Sequence, residues 1–515
     1  YYRILLLAIV WLVGTTSLEA REFIGTSKST KTVKAGNAAG CTAASGFQML
    51  DVNNVRGRVN TGGDLWWDVG GGVGPMYYIP ANSSKTSLFA GALWIGGVDV
   101  NDQLKVAAQR FRQGPDLNGG VDFWTGPLTV DGTASISADV CSKWDKLFVI
   151  SRAEVDQFIA WFESEDRSNE FPGYSIPDAI KNWPAHGDDG QSWFMAPFSD
   201  RNKDGFYNPD DGDYPYYDRT NELCHSDRTT PDTDDGTVIG GLLSDQVLKG
   251  DKTFWWVFND KGNVHTETNA SPIGLEIRAQ AFAFTTNDEI NNMTFYSYEI
   301  INRSTFTLKD TYFSPWTDPD LGYENDDYVG CDVNRGMGYA YNGKDTDGSG
   351  ELKSYGSQPP AVGIDFFQGP YMDPDGYDNP SFSGDGINGP SYKGDCSIVT
   401  QNGTLLNFTY GPENAQKTGQ FLVRSEAING VNFGNGIKDD ERFGMRRFLY
   451  FNNDGSDKGD PKTGAQYYNY LRGIWKNNAL MQYGGDAFNT GTVGPATDFM
   501  FPGDSDPCNW GTQGT

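Results

Sequence analysis

Between Leu275 and Ile301 the sequence keeps a two-residue rhythm that leaves little choice of secondary structure. In LEIRAQAFAF, Ile277, Ala279, Ala281 and Ala283 alternate with Arg278, Gln280, Phe282 and Phe284. Successive strand residues point to opposite faces, so this pattern predicts a strand with one face on a core. The polar TTNDEINN follows, and MTFYSYEII then resumes the alternation. Two such runs about a turn-rich connector predict an antiparallel pair, to which TLKDTYFSPW (307–316) could add a third strand.

The rest of the chain agrees with β structure. Aromatic residues make up 14%, beside 64 Gly and 25 Pro. Tyr, Phe and Trp among frequent Gly, Asn and Asp favour strands joined by tight turns. GPMYYIP (74–80) and SLFAGALWIGGVDV (87–100) are short apolar runs bounded as strands are. One helix stands out after the strand-like LFVI (147–150). Ser151 and Glu154 are spaced as a capping box, and Val155, Phe158, Ile159 and Phe162 share one helical face. The expected fold is mainly β with a few helices, in antiparallel β-sandwich-like units with long Gly/Asp/Asn-rich loops. We expect an extended leader over 21–64, a mixed β-rich unit over 65–270, and a more purely β unit over 271–515.

The N-terminus predicts export. Arg3 precedes the apolar run Ile4 to Val13, and GTTSLEA ends in the small residue Ala20. This is the layout of a secretory signal peptide, assigned to residues 1–20. The run is short for a bilayer span and no later stretch comes closer, so no transmembrane anchor is expected. A formal charge of −28 repels phosphate backbones and argues against nucleic acid as a partner. Six cysteines (Cys41, Cys141, Cys224, Cys331, Cys396 and Cys508) permit up to three disulfides in an exported chain. Their pairing is open, and free buried thiols are the alternative. No CxxC pair points to zinc or redox chemistry.

The acidic stretch DRNKDGFYNPDDGDYP (200–215) fits a calcium-loop template. That template asks for oxygen ligands at positions 1, 3, 5, 7, 9 and 12, with Gly at 6 for the sharp turn. Here they are Asp200, Asn202, Asp204, the Phe206 carbonyl, Asn208 and Asp211, with Gly205 at the sixth place. Residues two apart in a tightly curling loop can aim oxygens at one centre, and Ca2+ accepts six to eight of them. Asp in place of Glu at position 12, and Pro209 and Pro215 where a helix would exit, predict a free-standing loop rather than a helix–loop–helix unit. The competing reading is a solvated acidic turn.

Other clusters match less well. DPDLGYENDDYVGCD (318–332) carries five aspartates, KDTDGSGE (344–351) matches only the middle of the template, NFGNGIKDDE (432–441) lacks its leading acids, and NNDGSDKGD has acids at 454, 457 and 460. A polar loop is at least as good a reading of each. No GxSxG, HExxH or Walker loop occurs, and His186, His225 and His265 share no ligand spacing. Glycoside hydrolysis needs only two suitably separated carboxylates. Trp66, Trp67, Trp94, Trp193, Trp255 and Trp256 could stack on sugars, although core positions suit most of them.

Several longer phrases carry a resemblance: NWPAHGDDG (182–190), MAPFSDRNKDGFYNPDDGDYP (195–215), TFYSYEIINRS (294–304), DPDLGYENDDYVGCD (318–332), PPAVGIDFFQGP (359–370) and DFMFPGDSDP (498–507). Together they resemble large secreted or cell-surface proteins of Bacteroidota exported by the type IX secretion system. The resemblance implies the calcium-loop role for Asp200, Asn202, Asp204 and Asp211, and a C-terminal sorting domain that this sequence does not include. It puts the protein outside the cell or on its outer surface. The expectation is a calcium-stabilised structural or adhesion-type protein with surface glycans or extracellular proteins as partners; the alternative is a secreted polysaccharide-degrading enzyme or its carbohydrate-binding portion.

Overall fold

The computed structural model describes residues 39–69, 74–112, 120–217, 247–371, 430–432, 437, 439–488 and 494–506, with backbone alone at 237–238, 400–401 and 404–405. The expected signal peptide lies outside these residues.

Two antiparallel sheets pack face to face. The larger has eight strands: β1 (Phe47–Leu50), β2 (Arg56–Asn60), β3 (Asp64–Leu65), β4 (Tyr77–Tyr78), β5 (Thr86–Leu88), β6 (Ala90–Asp99), β7 (Leu104–Ala107) and β16 (Leu308–Asp318). The smaller has five: β8 (Trp124–Thr125), β9 (Phe148–Ser151), β13 (Lys252–Asn259), β14 (Leu275–Ala283) and β15 (Phe295–Asn302). Leu93 and Ile95 from the first meet Phe254, Trp256, Phe258, Ile277, Ala279 and Ala281 from the second in one buried core. The alternation of β14 is thereby realised, and its small alanines leave room for the large rings of β13.

Each sheet is also covered on its outer face. Trp255 and Val257 of β13 pack with Val155, Phe158 and Ile159 of a helix and with Phe198 and Tyr214. That helix, α2 (Arg152–Glu163), follows the short α1 (Ala138–Lys143) and precedes α3 (Arg167–Glu170) and α4 (Asp178–Lys181). Its capping box is present: Ser151 Oγ accepts from the Glu154 N–H at 3.2 Å, and Glu154 accepts from the Ser151 N–H at 2.9 Å. On the larger sheet, Trp94, Val106 and Trp316 pack against Tyr467, Tyr468 and Leu471 of α5 (Gly464–Leu471). Burial on both faces explains why β6 and β13 read as continuous apolar runs rather than alternating ones. Gly91 on β6 gives the Trp66 ring its space, since a Cβ there would fall 2.5 Å from it.

Smaller ladders complete the fold. β10 (Phe198–Asp200) lies between β11 (Tyr214–Pro215) and β12 (Thr237–Val238). β17 (Asp327–Asp332), β18 (Met337–Asn342) and β21 (Ala361–Asp365) form a three-stranded sheet. β19 (Thr346–Asp347) pairs with β20 (Gly356–Ser357), and β22 (Thr400–Gln401) with β23 (Thr404–Leu405).

Three expectations are corrected. The segment containing TLKDTYFSPW does not extend the β14–β15 pair; as β16 it crosses to the other sheet and pairs with β6 from Asp99↔Leu308 to Ala90↔Asp318. The leader expected over 21–64 overlaps β1, β2 and β3, in which the polar residues Arg58, Asn60 and Asp64 are buried with their hydrogen-bonding groups satisfied. Arg58 bonds Asn60 and Asp68, and Asp64 receives Arg112. The division expected at residue 270 falls between β13 and β14, which pair along the whole of Lys252–Asn259, and the described residues on both sides of it belong to one compact unit.

Of the six cysteines, Cys41 and Cys141 form a disulfide and Cys331 is a buried free thiol. The other three lie outside the described residues. Among the described residues no helix is long and apolar enough to cross a membrane.

Candidate metal centre

Residues 201–213 are the tip of the β10–β11 hairpin, where Phe198 pairs with Pro215 and Ser199 with Tyr214. Phe198 and Tyr214 are buried beside Phe158 of α2, so the hairpin base is fixed on the helical layer. The tip curls through left-handed residues at Lys203 (φ 64°) and Gly205 (φ 83°). Nothing stands within 4 Å of a Cβ built at Gly205, so glycine is required there by backbone conformation and not by crowding.

Backbone donors orient the loop's oxygens. Asp200 is fully buried; its Oδ1 accepts from Lys203 N–H and its Oδ2 from Gly205 N–H, both at 2.7 Å. Asn202 Oδ1 accepts from Asp204 N–H at 3.0 Å, and Asp204 Oδ1 from Phe206 N–H at 2.8 Å. Asn208 Oδ1 accepts from Asp210 N–H at 3.1 Å. Each of these oxygens keeps a further lone pair for a cation.

Asp211, the last ligand that spacing names, and Asp213, two residues beyond it, differ in their surroundings. Asp211 ends a 3-10 turn begun by Pro209, where Asn208 Nδ2 donates to its Oδ2 at 2.6 Å. Gly212 (φ 99°) then reverses the chain and turns Asp213 inward. Asp213 is fully buried and accepts from the N–H groups of Arg201 and Asn208, each at 2.8 Å. Burial, and then the charges of Asp200 and Asp204, push its carboxyl up. Asp213 is therefore the acid that shares the field of Asp200 and Asp204. The twelve-residue template ends before it.

An aromatic group adjoins the loop. Of the six tryptophans named above, five are buried and Trp193 is 45% exposed. Its indole N–H donates to the Gly205 carbonyl at 3.0 Å, its ring stacks on His186 at 4.0 Å, and Phe206 meets it edge-on at 5.4 Å. His186 Nε2 accepts from Tyr207 N–H at 2.9 Å, which leaves Nδ1–H to donate to the Trp193 carbonyl at 3.1 Å. Burial pushes the His186 pKa down and favours that neutral form.

The weaker clusters separate. The acidic stretches 318–332 and 344–351 meet in space: Tyr323 N–H donates to Asp347 Oδ1 at 2.8 Å and Gly348 N–H to Asp326 Oδ2 at 3.3 Å. Burial, reinforced by neighbouring carboxylates, pushes Asp318 and Asp327 up to about 7 and Asp320 to about 6. The acids of 452–460 diverge instead. Asp454 holds Ser456, Asp457 faces Asn477, and Asp460 binds Arg110. Half of the turn in 432–441 lies outside the described residues. Among the described residues no three His, Cys, Asp or Glu side chains are grouped as a metal-binding set. The loop instead offers carboxylate, amide and carbonyl oxygens together, a donor set that suits a hard cation such as Ca2+.

A depression of about 500 Å³ opens between Ile95, Leu275, Ile300 and Phe313. Its polar wall is Asn302, Ser304, Thr305, Thr307 and Thr311, with no carboxylate. His265 lies elsewhere, fully buried, with its ring nitrogens on the carbonyls of Val106 and Asp260. Compared with protein-family models, curated proteins and solved structures, the chain matches none of them.

Proposed function

We propose that this is a calcium-stabilised, non-enzymatic protein of the cell exterior, acting in adhesion, surface scaffolding or glycan contact. The observation that carries the reading is the 200–213 hairpin tip. Its backbone aims Asp200, Asn202 and Asp204, buried Asp213 shares their field, and exposed Trp193 and Phe206 stand at its rim. A cation there relieves repulsion among the acids and fixes the aromatic pair, whose exposed faces suit the apolar side of a sugar ring. The signal-peptide layout and the Cys41–Cys141 bridge support export, since disulfides persist in oxidising compartments. The phrases resembling Bacteroidota surface proteins support type IX secretion as the route. The depression described above has no carboxylate in its wall and so lends nothing to the alternative of glycoside hydrolysis.

The test is thermal unfolding in calcium and in chelator, for the native protein and for Asp204→Ala. With a Kd of about 10 µM and millimolar calcium, binding adds about 2.7 kcal/mol. We expect a higher Tm in calcium, with most of this loop's share lost in Asp204→Ala. Asp204 is exposed, so its removal costs little by itself. Equal melting curves with and without chelator would sink the reading.

A further inference from the structure

The depression between Ile95 and Phe313 lies along one side of the sandwich. Among the described strands, β15 and β16 end their two sheets, and residues 303–307 carry the chain from one to the other. A β-bulge shapes this side. Leu308 and Phe313 both pack on the inter-sheet core, yet they stand an odd number of positions apart, which strict alternation would place on opposite faces. The register with β6 slips between Lys309 and Tyr312, so that Asp310 and Thr311 together stand opposite Gly97. Asp310 takes a left-handed φ of 46°, and the Tyr468 hydroxyl of α5 donates to its carbonyl at 2.7 Å. Gly97 leaves the room required, since a Cβ there would fall 2.7 Å from Thr311 Oγ1. Thr311 thereby shares a face with Phe313 and enters the polar wall of the depression. Bulges re-aim side chains in this way beside binding sites, and backbone held in a sparsely populated region gathers there too.

The turn bonds to itself and leaves hydroxyls over. Ser304 N–H and Oγ donate to Asn302 Oδ1 at 3.0 and 2.7 Å. Asn302 Nδ2 donates to the Phe306 carbonyl at 2.8 Å, and Phe306 N–H to Ser304 Oγ at 3.2 Å. The Phe306 ring is held in turn by the Lys105 ammonium, 4.1 Å from its centroid. The side-chain hydroxyls of Thr305, Thr307 and Thr311 bond to no described residue. The wall is thus fixed in shape before any ligand arrives, with three hydroxyls unspent.

Its chemistry selects a class of ligand. No ionisable side chain lines the depression, so a charged ligand would shed water there without a counter-charge. A hydrocarbon would cover the three hydroxyls and leave them without a partner. A pyranose ring meets both demands, with C–H bonds on one face and uncharged hydroxyls around its edge. About 500 Å³ is the size of a small-ligand site. We propose that this depression binds the terminal unit of a neutral glycan. Thr305, Thr307 and Thr311 bond its hydroxyls, and Ile300 and Phe313 lie against its C–H face. The choice of a glycan rests on the glycan-contact reading above, but the depression shares no residue with the hairpin tip.

Calorimetric titration of the full chain in calcium tests this, with the methyl glycosides of glucose, galactose and mannose as neutral probes and glucuronate as the charged one. At least one glycoside should bind with a Kd of about 1 mM or below, and glucuronate at least about tenfold more weakly. Thr311→Val keeps the side chain's shape and removes its hydroxyl, so binding should weaken about three- to tenfold. Thr307 is exposed, and Thr307→Trp should fill the mouth and abolish binding with Tm unchanged. That variant keeps the test decisive if Thr311→Val fails to fold. The proposal is overturned if none of the three glycosides binds, if glucuronate binds as well as they do, or if Thr307→Trp binds as the native protein does. Glycoside binding beside melting curves that ignore calcium would support the pocket and overturn the hairpin-tip reading; calcium-dependent melting without glycoside binding would do the reverse.

Discussion

The indole N–H of Trp193 donates to the Gly205 carbonyl at 3.0 Å, tying an exposed aromatic ring to the sharpest turn of the acidic hairpin. Loop shape and aromatic position are thus coupled through one hydrogen bond. Trp193→Phe keeps a ring over His186 and loses that bond, at a cost of about 0.5–1.5 kcal/mol. Calcium should change indole emission in the native protein, and that change should vanish in Trp193→Phe. Denaturant midpoints and emission spectra with and without calcium check both statements.

The Cys41–Cys141 bridge closes a sequence separation of 100 residues. A loop of that size loses much unfolded-state freedom when it is closed. Replacing both cysteines by Ser should lower stability by about 2–4 kcal/mol. Reductant should lower the native protein to the same level and leave the double variant unmoved, as read by denaturant unfolding.

His265 is fully buried, and its two ring nitrogens meet the carbonyls of Val106 at 2.9 Å and Asp260 at 2.7 Å. The carboxylate of Asp122 lies 3.5 Å away and is equally buried. His265→Leu leaves the Val106 and Asp260 carbonyls without their ring partner, while Asp122 keeps the N–H groups of Ala108, Glu267 and Thr268 and the Thr268 hydroxyl, so a loss of about 1–3 kcal/mol is expected. A double-mutant cycle with Asp122→Asn measures how far the ring and that carboxyl are coupled.

Asp318 sets a pH dependence. Burial, then the charges of Asp320 and Asp460, push its carboxyl up to about 7, against an opposing pull from Arg110. The folded protein therefore holds a proton on Asp318 that the unfolded chain releases near pH 4. The stabilisation is fully present below about pH 4 and is lost as pH rises through about 7. Asp320 and Asp327 shift in the same direction. In calcium-free buffer, stability should fall across that window, and Asp318→Asn should flatten the fall. Urea titrations at several pH values check it.

What could be read from sequence follows the range of the interactions involved. β14, β15 and the capping box of α2 are set by neighbours in the chain, and local periodicity showed them. The partner of β16 is not a local property, because the pairing of Leu308 with Asp99 leaves no mark near either residue. β2 escaped notice because Arg58 and Asn60 are polar and yet buried, each satisfied by groups the fold brings to it. At the hairpin tip, spacing read Asp200, Asn202, Asp204 and Gly205 as one tightly curling turn, and they do lie in one. It passed over Asp213, which enters only through the reversal at Gly212. The acids of 318–332 and 344–351 were visible as two separate stretches, but their meeting depends on where the β17–β18 hairpin lands.

The pairing of β6 with β16 also dictates an order of events during synthesis. β6 is long, apolar and flanked by strands made early, yet the partner along one of its sides is made only when the chain has grown to Asp318. Until then a nascent chain presents a bare, sticky strand edge, the kind that invites pairing between molecules. That edge of β6 is completed only once β16 has been made. Proteolysis between β15 and β16 would strand the N-terminal piece in that same exposed state.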